Sequence, residues 1–159
     1  MGGEGGTKGA PRRTDRSPLW EACSQGSTAA VRGLLAAKAD CTSVDKDGNA
    51  PLHAAAARGH AHLVRHLVEA KSDINVRGHL SRTPLYAAVA ELGYDQSAAA
   101  TCRALLEQKA DPNATDEGGR PPLSVAARRG MLTMAQILID FGAEVGWLFS
   151  SCHFQLTTK

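Results

Sequence analysis

The stretch DKDGNAPLHAAAARGHAHLVRHLVEAKSDIN, residues 45–75, holds the whole plan of the fold. It begins with a turn-forming run, Asp45 to Asn49, continues into Pro51-Leu52 and the alanines 54–57, and reaches Gly59. Proline has a fixed φ and no N–H, so it fits the first turn of a helix, and glycine accepts the left-handed conformation that ends one. After Gly59 come Val64, Leu67 and Val68 at i, i+3, i+4, which is a single apolar stripe on a second helix. A polar turn, Lys71 to Asn75, closes the span. A short helix, a tight reversal, a second helix and a turn make one supersecondary unit, which cannot bury its own stripe.

The unit recurs. Pro-Leu pairs stand at 18–19, 51–52, 84–85 and 122–123, offset by 33, 33 and 38 residues. Alanine-rich segments follow each pair, and apolar triplets at helical spacing follow those: Val31, Leu34, Leu35; Val64, Leu67, Val68; Cys102, Leu105, Leu106; Ala135, Leu138, Ile139. Small alanine side chains let neighbouring helices approach closely, so stacked units would bury a thin, continuous core. Residues 45–75 and SRTPLYAAV at 81–89 resemble ankyrin repeats, whose pattern runs D-x-x-G-x-T-P-L-H-x-A-A-x-x-G-H, then V-x-x-L-L, then A-D-x-N. The resemblance covers about Ser17 to Val145 and implies an all-α solenoid of four helix-turn-helix repeats with β-hairpin or turn fingers. The expected repeats are 17–44, 45–76, 77–114 and 115–145.

The chain departs from the pattern in specific places. Ser17 and Thr83 are well placed as helix N-caps, but Ala50 and Pro121 stand at the same position in the second and fourth repeats, at about 1 kcal/mol each. Lys38, Lys71 and Lys109 stand where a glycine commonly follows the second helix; only Gly142 keeps it. Those lysines either adopt a left-handed conformation, at roughly 1 kcal/mol each, or continue the helix by a residue. The third repeat has five extra residues within AELGYDQSAAATC, between its two helices, and a tolerated surface insertion is the expectation.

Both ends differ from the repeats. Residues 1–16 are Gly- and charge-rich, and a disordered tail is expected there. Residues 146–159 include Trp147, Phe149 and Phe154 and read as an apolar tail or a truncated cap over the fourth repeat.

Composition narrows the function. Hydrophobic residues make up 43% of the 159 and aromatics only 4%, as expected of an alanine-filled core. The formal charge of +2 arises in the first sixteen residues, where Lys8, Arg12, Arg13 and Arg16 outnumber Glu4 and Asp15. The neutral remainder argues against a nucleic-acid-binding domain. Cys23, Cys41, Cys102 and Cys152 are too widely spaced for a zinc ribbon or disulfide framework and point to a reducing compartment, cytoplasmic or nuclear. No signal-peptide pattern or apolar run of membrane-spanning length is visible, so no membrane partner is expected.

Four histidines, His53, His60, His62 and His66, raise a metal-site reading. His62 and His66 have the i, i+4 spacing of helical zinc ligands, but no H-E-x-x-H pattern and no third ligand accompany them. By the resemblance, His53 falls in the T-P-L-H slot, where its imidazole makes a structural hydrogen bond, and His60 in the G-H position. GGEGGTKG at 2–9 lacks the G-K-[ST] of a phosphate loop. No serine or cysteine has a His and an acid at suggestive spacing, and Cys102 sits on an apolar stripe as a small core residue.

A non-catalytic protein-interaction module, an ankyrin-type scaffold or adaptor without cofactor or metal, is therefore expected. By the resemblance, the finger residues Val44, Lys46, Asp47, Asn49, Arg77, His79, Leu80, Arg82, Thr115, Glu117 and Arg120 should face the partner. So should the first-helix residues Glu21, Gln25, Arg58, Arg128 and Arg129. Arginine dominates this set and forks well onto carboxylates, so a protein partner with an acidic or mixed surface is expected. Two rival readings remain: a targeting fragment of a larger enzyme such as a ubiquitin ligase or kinase, and a histidine metal site. The resemblance also implies that Asn75 and Asn113 stand where asparaginyl hydroxylases act in some ankyrin proteins.

Overall fold

A computed structural model describes residues 16–93 and 96–146. Each Pro-Leu pair opens a helix: α1 (Pro18–Gln25), α3 (Pro51–Ala57), α5 (Pro84–Glu91) and α7 (Pro122–Arg128). Each is followed by a second helix: α2 (Thr28–Ala36), α4 (Ala61–Glu69), α6 (Gln96–Glu107) and α8 (Leu132–Asp140). Helices α1, α3, α5 and α7 pack on one another in that order, and α2, α4, α6 and α8 form a second row behind them.

The caps follow the sequence. Ser17 Oγ accepts the Trp20 N–H at 3.2 Å and Thr83 Oγ1 accepts that of Tyr86 at 3.3 Å, whereas Ala50 and Pro121 make no side-chain cap. Gly26, Gly59 and Gly130 end their first helices at φ of 74°, 80° and 70°. Gly26 is required twice over, because a Cβ there would also lie 2.6 Å from the His60 ring. The lysine alternatives resolve to the left-handed one: φ is 61° at Lys38, 70° at Lys71 and 69° at Lys109, with Gly142 at 90° in the same place. Their N–H groups bond back to Leu35, Val68 and Leu106, which is why the strained conformation is retained.

The insertion is absorbed differently from a plain loop. α6 has 12 residues against 9 in α2, α4 and α8, so part of the extra length is helix. α5 ends at Leu92 in an extended conformation, with φ −80° and ψ 158°, and Gly93 does not supply the left-handed stop its position suggests. A longer connection has no need to reverse within two or three residues.

Among the described residues the fingers contain no β-strand; they are short turns whose ends are joined by equivalent backbone bonds, Asp45 N to Asn49 O, Gly78 N to Arg82 O, and Asp116 N to Arg120 O, at 3.0, 2.9 and 3.0 Å. The core is one cluster running through all four repeats, with Leu19, Leu52, Leu85 and Leu123 of the Pro-Leu pairs almost fully buried. Cys102 is fully buried within it, and burial pushes its thiol up to about 12. Within the stripes, Val31, Val64, Leu67, Leu105 and Leu138 are buried, but Ile139 on α8 is 42% exposed. Apart from Arg16 and Gly146, the segments 1–16 and 146–159 lie outside the described residues.

Candidate binding groove

Along the first helices and the fingers runs a groove of about 420 Å³. Its floor is alanine, with Ala54 and Ala57 from α3 and Ala87 from α5, and its walls include Trp20, Arg58, His79, Arg82 and Glu91. The alanine positions come from the repeat itself: small residues let the first helices stack and leave a shallow channel over them.

Three of the four histidines, His53, His60 and His62, serve as inter-repeat braces. His53 Nδ1 accepts the Ala50 N–H at 3.2 Å and Nε2 donates to the Arg82 carbonyl at 2.9 Å, so the ring is the neutral Nε2–H tautomer. Burial holds its pKa below the usual histidine value, opposed by the Arg82 carbonyl and the Asp45 charge. His60 and His62 reach back to the Ser24 and Gly26 carbonyls at the end of α1, at 3.1 and 3.2 Å. His66 lies 4.0 Å from Glu69 on the same helix. Among the described residues, no group of three or more His, Cys, Asp or Glu side chains is placed to hold a metal ion.

A polar ladder runs under the fingers. Asn75 Oδ1 accepts the Asp111 N–H at 2.8 Å and Asn113 Oδ1 accepts the Glu144 N–H at 2.7 Å, each amide joining one repeat to the next. Asn49 Oδ1 accepts the His79 N–H at 3.0 Å in the same manner.

The expected partner-facing residues fall into distinct environments. Arg58 and His79 are exposed on the groove walls, and Asn49 and the half-buried Arg82 join them. Lys46, Asp47, Leu80 and Glu117 are exposed at the finger tips, and Arg128 is exposed at the end of α7. Glu21 and Gln25 lie instead beside Arg16, Pro18 and Leu34, on the outer edge of the first repeat.

Three arginines are structural ties. Arg77 Nη1 donates to Ser81 O at 3.0 Å and Thr115 O at 2.7 Å. Arg129 Nη1 donates to Val89 O and Ala90 O, both at 2.7 Å. Arg120 Nε and Nη2 donate to Asp116 Oδ2 at 3.0 and 2.7 Å. Burial of Asp116 opposes ionisation, but hydrogen bonds from Arg120 and Tyr86 outweigh it and hold the carboxyl far below the usual carboxylate range.

Reading the sequence missed Trp20, Glu91 and the alanine floor. Aligning the residue after each Pro-Leu pair, Trp20, His53, Tyr86 and Ser124, was the signal that could have found Trp20.

The repeated helix pairs and finger turns define an all-helical stacked-repeat protein. The family profile described as ankyrin repeats (3 copies) matches residues 19–116, and that described as ankyrin repeats (many copies) matches residues 97–145. The chain belongs to the ankyrin repeat family. It is similar to the crystal structure of an ankyrin repeat domain from Acinetobacter baumannii AYE, with a TM-score of 0.78 and 31% identity over 83% of this chain and 67% of that one. No curated protein sequence matches the chain significantly. Ankyrin repeats are general protein–protein interaction modules and are typically non-catalytic. Among the described residues no helix is long and apolar enough to cross a membrane.

Proposed function

We propose that this chain is a non-catalytic recognition module that grips another protein through the groove and the finger row, without cofactor or metal. The observation that carries the reading is the groove itself: Arg58, His79 and Arg82 stand over an alanine floor on a frame braced at every repeat boundary. A preformed, braced surface lowers the ordering cost of association, so side chains displayed on it convert more of their contact energy into affinity. Arg58, Arg128 and Lys46 are exposed cations along this face, which favours a partner with an acidic or mixed surface. The thiols of Cys23, Cys41 and Cys102 are free, which fits action in a reducing compartment such as cytoplasm or nucleus.

The test is affinity capture from native lysate with wild type and an Arg58→Glu/Arg128→Glu variant. The variant is expected to lose the partners that the wild type recovers. Identical partners at identical yield would move the binding site away from this face.

A further inference from the structure

Two positions in the groove break the repeat, and both breaks leave a buried donor without an acceptor among the described residues. The first is Trp20. At the equivalent positions, His53 donates to the next finger through Arg82 O, and Tyr86 donates to the next finger through Asp116. Trp20 Nε1 is buried and, among the described residues, has no acceptor.

The second is Arg82. The three finger-closing bonds make Asp45, Gly78 and Asp116 equivalent, and Asn49, Arg82 and Arg120 equivalent. Arg120 has the Asp116 carboxylate of its own finger; Arg82 has glycine there. A Cβ at Gly78 would lie 2.5 Å from Asn49 Oδ1 and 2.8 Å from His53 Nε2, so the braces of the preceding repeat exclude an aspartate. Among the described residues Arg82 Nε is consequently buried with no acceptor, and its nearest carboxylate, Glu91, is 57% exposed and 3.9 Å from Nη1. Such a pair is weak and easily displaced.

Both donors belong to residues that line the same groove. Among its lining residues Arg58 and Arg82 outnumber Glu91, and His53 is neutral, so the excess charge is positive. Resting on the reading above, we propose that the groove takes an extended acidic segment of the protein partner. A side-chain carboxylate seats on the 26%-exposed Arg82 side chain in place of Glu91, and the half-buried Trp20 ring turns its N–H outward to a second oxygen. The alanine floor suits an extended chain, because it leaves width for a backbone and no depth for a bulky side chain.

A phage-displayed library of short random peptides, panned on the full chain, provides the probe, and a selected peptide is then titrated against wild type, Trp20→Phe, Arg82→Lys and Glu91→Gln. Each variant is first checked for an unchanged thermal midpoint. The expected result is enrichment of peptides with a fixed Asp or Glu. Binding should weaken about tenfold in Arg82→Lys, which keeps the charge and loses the fork, and also in Trp20→Phe; it should tighten in Glu91→Gln. Selected peptides without an acidic position, or equal binding by all variants, overturn this chemistry while partner capture at the face still stands. No selected peptide, with capture still lost in Arg58→Glu/Arg128→Glu, also overturns it and assigns the face to a folded partner surface. No peptide and unchanged capture defeat both readings.

Discussion

The phenolic hydroxyl of Tyr86 donates to Asp116 Oδ2 across 2.7 Å, which ties the third finger to the first helix of the preceding repeat. The same carboxylate accepts the N–H groups of Gly118 and Arg120 at its other oxygen, at 3.0 and 2.9 Å. One buried aspartate therefore shapes the finger, fixes Arg120 and links two repeats.

Removing that tie is measurable. Tyr86→Phe is expected to lower the unfolding free energy by about 1.5–3 kcal/mol, the usual range for a hydrogen bond to a charged group. Asp116→Ala should cost more, because it also orphans two backbone donors. Chemical denaturation gives both values, and the prediction fails if Tyr86→Phe is the more damaging.

His53 gives a pH dependence of definite sign. Its folded pKa is lowered by burial, so the unfolded chain binds the proton more readily. The stability it contributes is present above about pH 6.5 and is lost as pH falls through the lowered folded value. Thermal midpoints measured from pH 7 to pH 5 should decline in wild type and decline less in His53→Gln. Parallel curves would remove His53 as the source.

The left-handed lysines are a reserve of stability. Lys71→Gly replaces a residue at φ 70° with the one that adopts this conformation freely, and about 1 kcal/mol of stabilisation is expected. Lys38 and Lys109 should behave alike. A loss of stability in urea melts of Lys71→Gly would mean that the lysine stem contributes packing worth more than the strain.

Ala50→Thr restores the missing cap of α3, in a backbone conformation, φ −74° and ψ 164°, that matches Thr83 at −85° and 165°. Stability should rise by about 1 kcal/mol. No change in the urea midpoint would show that the His53 bond to the Ala50 N–H already supplies what a cap offers.

Thiol accessibility separates the cysteines. Burial pushes Cys23 and Cys102 up to about 12, so neither should react with a thiol reagent at neutral pH unless the fold opens. Half-buried Cys41, whose Sγ lies 3.5 Å from the Ala70 carbonyl, should react first in a Cys152→Ser background. Mass mapping of the label decides it, and early labelling of Cys102 would contradict its core placement.

The helix pairs, their starts at the Pro-Leu dipeptides, the Ser17 and Thr83 caps and the buried stripes were legible in the sequence. Each of these depends on spacing along the chain, on local backbone geometry and on which side chains avoid water. The left-handed lysines were legible only as one of two alternatives, since a lysine specifies neither outcome by itself. The fate of Arg77, Arg120 and Arg129 was hidden. Exposed arginines and arginines bonded to carbonyls 38 to 40 residues away look identical in a string of letters.

What the sequence alone determined is the repeat: a helical period and a proline start four times over, with a left-handed glycine stop after three of the four first helices. Only the tertiary structure decided which polar groups have partners. Whether Trp20 or Arg82 finds an acceptor depends on the residues that stacking brings from the next repeat, and on the room that His53 leaves at Gly78. Hydrogen-bond satisfaction is a property of the packed neighbourhood, so the groove and its orphaned donors appear only once the units stand side by side.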